Sequence, residues 1–344
     1  MDNIRQERLP GTNFVPVAIS GLVWAYRFRE GYAPEALEAG DVPGALLAED
    51  GWLWLHFSLT DRLARDWISS LEQLPEEVRS LFMASDEPLG LQAGGDVIYG
   101  VIADFHSELA GESDHIGRLR FALSERLVIS GRRHPLRSVE EIHRAVQGGL
   151  NLPVAGQLIE TIIDRFCDAV ARRVAAMTDE LDTAEDRVVV DMATTERSRL
   201  INVRRITVRV HRQLSSLSSV LRNWHARPRD EKDKPAMHIS SKRLADRLES
   251  LDHDMHTLQE RAKLLLDEVA ARQADETNRS LRALSIITAL LLPGSMVAGI
   301  FGMNTKDLPF TDTEGGFWFA MIIGVAATAV FYWVLKRVGA GLRL

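Results

Sequence analysis

The spacing of apolar residues divides the chain into two parts with different periodicities. In the first part, short runs rich in β-branched and aromatic residues alternate with amphipathic stretches, and glycine, aspartate and serine mark their ends. The runs predict strands at 22–28, 52–57, 97–105, 117–123 and 126–130, the last two close enough to form a hairpin. Helices are predicted after Thr60, acting as an N-cap, and after Pro75. Residues 1–150 are therefore predicted to form an α/β domain.

From Pro153 onward, apolar residues recur every three to four positions and no further strand is predicted. Two amphipathic helices come first, followed by a polar loop, 226–235, that contains two prolines. A third helix starts near Ser240 and carries a seven-residue repeat in two series. The series are Leu244, Leu251, Leu258 and Leu265, and Leu248, Met255, Ala262 and Val269. This pattern predicts a coiled-coil-like helical stalk over residues 151–282.

Two C-terminal stretches are long and apolar enough to cross a bilayer as helices. Neither 283–301 nor 316–335 contains a charged side chain, and about 20 such residues span the hydrocarbon core. Arginine and lysine lie next to the outer ends of the pair, whereas the connecting loop 302–315 holds more acidic than basic residues. The positive-inside rule then places both termini in the cytoplasm, the loop in the periplasm and residues 336–344 in a cytoplasmic tail.

One face of the first span differs from an ordinary lipid-facing surface. At three-four spacing it combines leucine with hydroxyl and glycine residues: Leu281, Leu284, Thr288, Leu292, Ser295 and Gly299. We interpret this face as pore-lining. Because two helices cannot enclose a pore, several copies of the chain would have to surround it in a closed ring. An alternative from another class is a membrane-anchored interaction or signalling protein, in which the spans are only an anchor.

Composition and sequence motifs bear on the other classes of protein to which the chain could belong. The formal net charge of −7 argues against nucleic-acid binding and favours cations as partners. The single cysteine, Cys167, forms no intrachain disulfide, and its apolar helical stripe indicates a buried thiol. The N-terminus lacks the apolar core of a signal peptide, and no motif of an enzyme is present. His253 and His256 share a helix face at a spacing compatible with zinc, although an exposed, unrelated pair is the alternative.

The segments 278–288 and 292–304 resemble the CorA family of divalent-cation transporters. The second ends in Gly-Met-Asn, the family's signature, and it closes the first of two C-terminal spans. The following loop, 305–310, reads Thr-Lys-Asp-Leu-Pro-Phe and departs from the aromatic and Met-Pro-Glu pattern of the magnesium-transporting branch. It is more similar to the zinc-transporting ZntB branch. Lys306 is a further departure, since it weakens any simple anionic funnel at the entrance.

The resemblance implies a homopentamer in the bacterial inner membrane, with five first spans around the pore. Gly302, Met303 and Asn304 would form the selectivity filter, in which amide oxygens accept hydrogen bonds from the water shell of the ion. Three loop acids would attract cations to the mouth: Asp307, Asp312 and Glu314. Ordinary solvated loop charge is the alternative explanation of these acids. Along the pore, leucines would form constrictions that gate by dewetting, and hydroxyl groups would form polar steps. Ordinary helix packing is the alternative role for each leucine.

The resemblance implies no cofactor, because the metal is the cargo: Zn²⁺, or else Mg²⁺, Co²⁺, Ni²⁺ or Cd²⁺. The leading hypothesis is zinc uptake coupled to the proton gradient. The alternative is a CorA-type magnesium or cobalt channel gated by cytosolic metal. Because oxygen ligands discriminate poorly between such ions, the sequence leaves direction, coupling, gating and selectivity open.

Overall fold

The computed structural model describes residues 19–48, 50–108, 111–190, 194–228, 235–303 and 315–337. The strands in these ranges are β1 Leu22–Phe28, β2 Glu35–Ala36, β3 Trp52–Ser58, β4 Gly90–Gly94, β5 Val97–Glu108, β6 Gly111–Leu123 and β7 Leu127–Arg132. They form one sheet in the order β2-β1-β3-β7-β6-β5-β4, in which β3 and β7 are parallel and all other neighbours antiparallel. All predicted strands are present, and the predicted hairpin is β6–β7. The short strands β2 and β4 were not predicted.

The helices of the described ranges are α1 Val42–Leu47, α2 Arg62–Ser69, α3 Glu76–Met83, α4 Arg137–Gln147, α5 Gly156–Val190, α6 Thr194–Ala226, α7 Ser241–Gly302 and α8 Gly316–Arg337. The predicted N-cap of α2 is wrong by one residue. Asp61 is the cap, and its carboxylate accepts a hydrogen bond from the backbone N–H of Leu63 at 2.9 Å. A carboxylate at this position also interacts favourably with the helix dipole, which the hydroxyl of Thr60 does not.

Alternation along β3 shows how helices cover both faces of the sheet. Leu55 and Phe57 belong to a core with α1, α2 and α3, and the Phe57 ring lies 5.2 Å from that of Trp67 on α2. On the opposite face, Trp54 and His56 point toward the side on which α4 packs. Because successive side chains of a strand point to opposite faces, both sets are buried.

The helices after the sheet bury the seven-residue repeat of α7. All eight predicted repeat positions are buried. Arg243 of α7 bonds Asp164 of α5 at 2.8 Å, and Glu249 bonds Arg222 of α6 at 2.9 Å. Up to Leu265, the repeat is thus buried among helices of the first 265 residues. The chain divides into two units, residues 1–265 and 266–344, so that α7 contributes its N-terminal part to the first and the remainder to the second.

In the second unit, α7 continues through Pro293 to Gly302 and packs against α8. Small residues occupy the contact: a Cβ at Gly294 would lie 3.8 Å from the hydroxyl of Thr328, and one at Gly324 would lie 3.9 Å from Val297. A Cβ at either position would make ordinary van der Waals contact, so the two helices touch there without requiring glycine.

Helix α4, which was not predicted, receives its N-terminal cap from a side chain on β5. Its N-cap residue, Leu136, has no side-chain acceptor. Asp104 of β5 takes that role, accepting hydrogen bonds from the backbone N–H of Ser138 at 2.9 Å, the Ser138 hydroxyl at 2.7 Å and the N–H of Phe105 at 2.9 Å. Asp104 is fully buried, and burial raises the pKa of its carboxyl to about 7.

We expect Asp104→Ala to destabilise the first unit by about 3 kcal/mol, because buried donors on Ser138 and Phe105 would lose their acceptor. Urea unfolding of the detergent-solubilised full chain, followed by near-ultraviolet circular dichroism, measures the change. The control is Asp96→Ala, which removes an exposed carboxylate. Equal unfolding midpoints for the two variants would contradict the capping role of Asp104.

Candidate permeation helices and ionisable clusters

Two helices in the described ranges are long and apolar enough to cross a bilayer. They are α8 and the C-terminal part of α7. No residue in their most apolar stretches is buried within the chain. Trp318 lies near the start of α8, and Tyr332 and Trp333 lie near its end. Aromatic residues at both ends are typical of helices that cross membrane interfaces.

The six predicted pore-lining positions lie on the side of α7 that faces away from α8. We call them the α7 outer face: Leu281, Leu284, Thr288, Leu292, Ser295 and Gly299. At 100° per residue, these positions centre on the side of the helix opposite Gly294 and Val297, which contact α8. All six are exposed in the single chain, and the leucines are 55–60% exposed. One neighbouring helix therefore leaves the whole face uncovered.

The hydroxyl groups of the α7 outer face bond to the helix backbone. The Thr288 hydroxyl donates to the carbonyl of Leu284 at 2.9 Å, and the Ser295 hydroxyl donates to the carbonyl of Leu292 at 3.0 Å. Since each proton is engaged within the helix, the oxygen lone pairs remain as acceptors. An acceptor surface of this kind suits the water molecules around a cation.

The predicted filter lies at the limit of the described chain. Gly302 ends α7 and Met303 is exposed. Asn304 and Lys306 lie outside the described residues. So do the predicted cation-attracting acids, which are Asp307, Asp312 and Glu314. The roles of these residues stay predictions.

The histidine pair predicted on α7 is exposed, and the ring of His256 lies 5.9 Å from that of His211 on α6. His211 bonds the carboxylate of Asp252 at 2.6 Å. Within the part of the chain that the structure describes, no group of three or more His, Cys, Asp or Glu side chains could hold a metal ion. Cys167 is buried as predicted, and burial raises the pKa of its thiol to about 12, which disfavours the metal-binding thiolate. The pairing of His253 with His256 stays a prediction.

A second histidine arrangement, which sequence reasoning missed, lies between the sheet and α4. The Trp24 ring stacks between His56 on one side, at 4.2 Å, and His143 of α4 on the other, at 3.9 Å. Arg132 donates from Nε to His56 Nε2 at 2.9 Å and pairs with Glu140 at 2.6 Å. The only sequence signal was the alternation of β3, which placed Trp54 and His56 on one face.

The hydrogen bonds of His56 define its protonation. Because Arg132 can only donate, His56 Nε2 accepts, and Nδ1 carries the proton that is donated to the Ser130 hydroxyl at 2.8 Å. Burial, reinforced by the Arg132 charge, lowers the pKa of His56 well below its usual value. Burial also lowers the pKa of His143. Both imidazoles are therefore neutral in the folded state at neutral pH.

The fold and the helix pair together define a membrane protein, in which a sheet and three long helices precede a short C-terminal membrane region. A family model described as CorA-like Mg²⁺ transporter protein matches residues 49–337. The chain belongs to this family and is a divalent-cation transporter.

Individual relatives agree with that assignment. The divalent cation transporter CmaX of Pseudomonas aeruginosa is 27% identical over 302 residues, which cover 85% of this chain and 88% of CmaX. The zinc transport protein ZntB of Yersinia enterocolitica is 24% identical over 299 residues, which cover 85% of this chain and 89% of that protein. The solved structure of full-length CmaX has a TM-score of 0.77 at 22% identity, covering 92% of this chain and 97% of CmaX. The resemblance to the CorA family is confirmed.

The buried groups of the first unit predict a characteristic pH dependence. The lowered pKa values of His56 and His143 mean that stability falls as pH decreases below about 6.5, because the unfolded state binds the proton more readily. Asp104 has the opposite effect on stability. Because its pKa is raised, the folded state keeps a proton on this carboxyl between pH 7 and about 4 while the unfolded state has released it, so this group adds stability as the pH decreases.

We therefore expect Asp104→Asn to lose stability more steeply than the wild type between pH 7 and 5, by up to about 1.4 kcal/mol per pH unit. Replacing His143 by Gln should make the dependence flatter. Thermal unfolding of the full chain at a series of pH values measures both slopes. Identical slopes in all three proteins would rule out this assignment of the titrating groups.

Proposed function

We propose that the protein is a zinc transporter of the bacterial inner membrane that takes up Zn²⁺ with the proton gradient through a homopentameric pore. The α7 outer face is the observation that carries the proposal. It is exposed, lies opposite α8, and combines leucine with hydroxyl and glycine positions. Apolar side chains alone would suffice on a side of the helix that contacts only lipid.

Closure by symmetry explains how this face could be covered. Two membrane helices from one chain cannot surround a channel, whereas a ring of identical chains places the same face of each α7 toward a common axis. Leu281, Leu284 and Leu292 would then form apolar rings, and Thr288 and Ser295 polar ones. Such alternation allows a hydrated ion to pass polar steps and gives constrictions that close when they lose water.

Asn304, which follows the end of α7 by two residues, would form the entrance ring of the pore. Its amide oxygen accepts hydrogen bonds from the water shell of a cation, as suits an ion that is not fully dehydrated. Asp307, Asp312 and Glu314 would raise the local cation concentration, since a ring multiplies each charge. Basic residues at the outer ends of the spans support cytoplasmic termini.

Zinc as the cargo rests on the loop after Gly-Met-Asn and on the similarity to ZntB of Yersinia enterocolitica. A magnesium or cobalt channel gated by cytosolic metal is the second candidate. It is favoured by the chemistry of the α7 outer face, which offers oxygen atoms and no imidazole or thiolate. Oxygen ligands suit Mg²⁺ at least as well as Zn²⁺.

Cysteine accessibility tests whether the α7 outer face lines the pore. In a Cys167→Ala background, Thr288→Cys should react with a membrane-impermeant methanethiosulfonate and lose cation flux. Ile287→Cys, its exposed neighbour, points about 100° away and should keep its flux. Flux into liposomes before and after treatment is the measurement. Equal inhibition of both variants, or of neither, would show that this face does not line the pore.

Cargo and coupling are tested with purified full-length protein in liposomes. We expect Zn²⁺ uptake to exceed Mg²⁺ uptake and to increase with an inward proton gradient, while Asn304→Ala should fall to the rate of protein-free liposomes. Gradient-independent Mg²⁺ flux would instead identify the channel alternative. Absence of flux for both ions in the wild type would contradict both candidate functions.

A further inference from the structure

The two membrane-spanning helices are matched in length, and an arginine marks the same end of each. From Arg282 to Gly302, α7 rises about 30 Å, and from Gly316 to Arg337, α8 rises about 32 Å. The hydrocarbon core of a bilayer is about 30 Å thick. When the loop ends of the two helices lie at one interface, Arg282 and Arg337 therefore lie at the other.

The contact between α7 and α8 places a third arginine near the same level. Gly294 lies beside Thr328. Measured from this contact along the helix axes, Arg337 lies about 14 Å away, Arg282 about 18 Å and Arg279 about 22 Å, all in the same direction. Long arginine side chains can extend along a helix toward the interface, so all three guanidinium groups can reach the headgroup layer.

The three arginines point away from the α7 outer face. At 100° per residue, Arg279 lies on the side of α7 that carries Val297, which contacts α8, and Arg282 lies about 60° from it. On α8, Arg337 lies about 180° from Thr328, the residue that contacts α7. The arginines are thus separate from the face that we propose lines the pore.

Carboxylates of the chain do not neutralise these charges. The three arginines are exposed, and none of them forms an ion pair within the described ranges. Asp275 and Glu276, about one turn before Arg279, are also exposed and are not bonded to it. The next arginine toward the N-terminus, Arg272, differs because it pairs with Glu268 at 2.6 Å. The guanidinium groups beside the membrane are therefore available to external anions.

One of these guanidinium groups is held by an aromatic ring. The Cζ atom of Arg337 lies 4.9 Å from the centroid of the Trp333 ring, and Trp333 is 56% exposed. Tryptophan prefers the membrane interface, where its ring is in an apolar layer and its edge is wet. A guanidinium stacked on a ring keeps N–H donors in its own plane, in a geometry that suits phosphate oxygens.

From these observations we infer that Arg279, Arg282 and Arg337 form a binding surface for the headgroups of anionic phospholipids. Such a headgroup combines phosphate oxygens with a net negative charge at the depth where the arginines lie. An arginine close to a membrane surface strengthens the attraction to anionic lipid about fivefold. The inference depends neither on the ion that the pore carries nor on the direction in which the helix pair is inserted.

Fluorescence quenching of Trp333 tests the surface at Arg337. The full chain is reconstituted with equal amounts of phosphatidylglycerol and phosphatidylcholine, and either lipid is brominated in turn. Subtracting the signal of Trp333→Phe isolates the quenching of this residue. We expect phosphatidylglycerol to be favoured about fivefold beside Trp333 in the wild type and in Arg337→Lys, which keeps the charge. The two lipids should quench about equally in Arg337→Gln.

Lipid retention tests the arginines of α7. After purification in detergent, mass spectrometry counts the phosphatidylglycerol molecules bound per chain. Replacing both Arg279 and Arg282 by Gln should lower this number. The matched control is Arg272→Gln, which removes a charge about 10 Å farther along α7 and should retain as much lipid as the wild type.

Three results would overturn the inference. The first is equal quenching by the two lipids in the wild type. The second is an unchanged lipid preference in Arg337→Gln together with unchanged retention in the double variant of α7. The third is an equal loss of lipid in Arg272→Gln, which would indicate a general effect of charge rather than a binding surface.

Discussion

The contact between α7 and α8 is the constraint on which the membrane part depends. Gly294 of α7 lies beside Thr328 of α8, and Gly324 of α8 lies beside Val297, so the two helices meet along one side of α7. Backbone polar groups within hydrocarbon must be satisfied inside each helix, which is why this region consists of helices. A single α8 then covers only the side it touches, and the α7 outer face is left to water, lipid or other copies of the chain. Its composition favours the first and the last of these.

The local pattern of apolar residues was sufficient to predict those strands and helices whose structure is determined by their own sequence. The long strands have alternating or continuous apolar runs rich in β-branched and aromatic residues, and the repeat of α7 has a regular period. In contrast, β2 has only two residues, and β4 reads Gly-Leu-Gln-Ala-Gly, without β-branched or aromatic side chains. Helix α4 was missed for a different reason. Its start carries no side-chain cap of its own, and the acceptor, Asp104, lies 34 residues before Ser138 in the sequence.

The same distinction applies to the candidate sites. The α7 outer face was predictable because one helix places residues three and four apart on the same side. His253 and His256 share a face of α7 for the same reason. The stack of Trp24 between His56 and His143 forms only when β1, β3 and α4 come together in space, so no local spacing indicates it.

Pro293 makes one level of α7 easier to bend than the rest of the helix. Proline has no N–H to donate to the carbonyl of Ala289, and its ring crowds that carbonyl. The hydrogen-bond ladder is therefore weakest at one level of the span, between Thr288 and Ser295. Bending is concentrated there, so the two halves of the span behave as stiff segments joined by a compliant joint. A force applied at either end would change the angle between these segments more readily than it would stretch or unwind the helix.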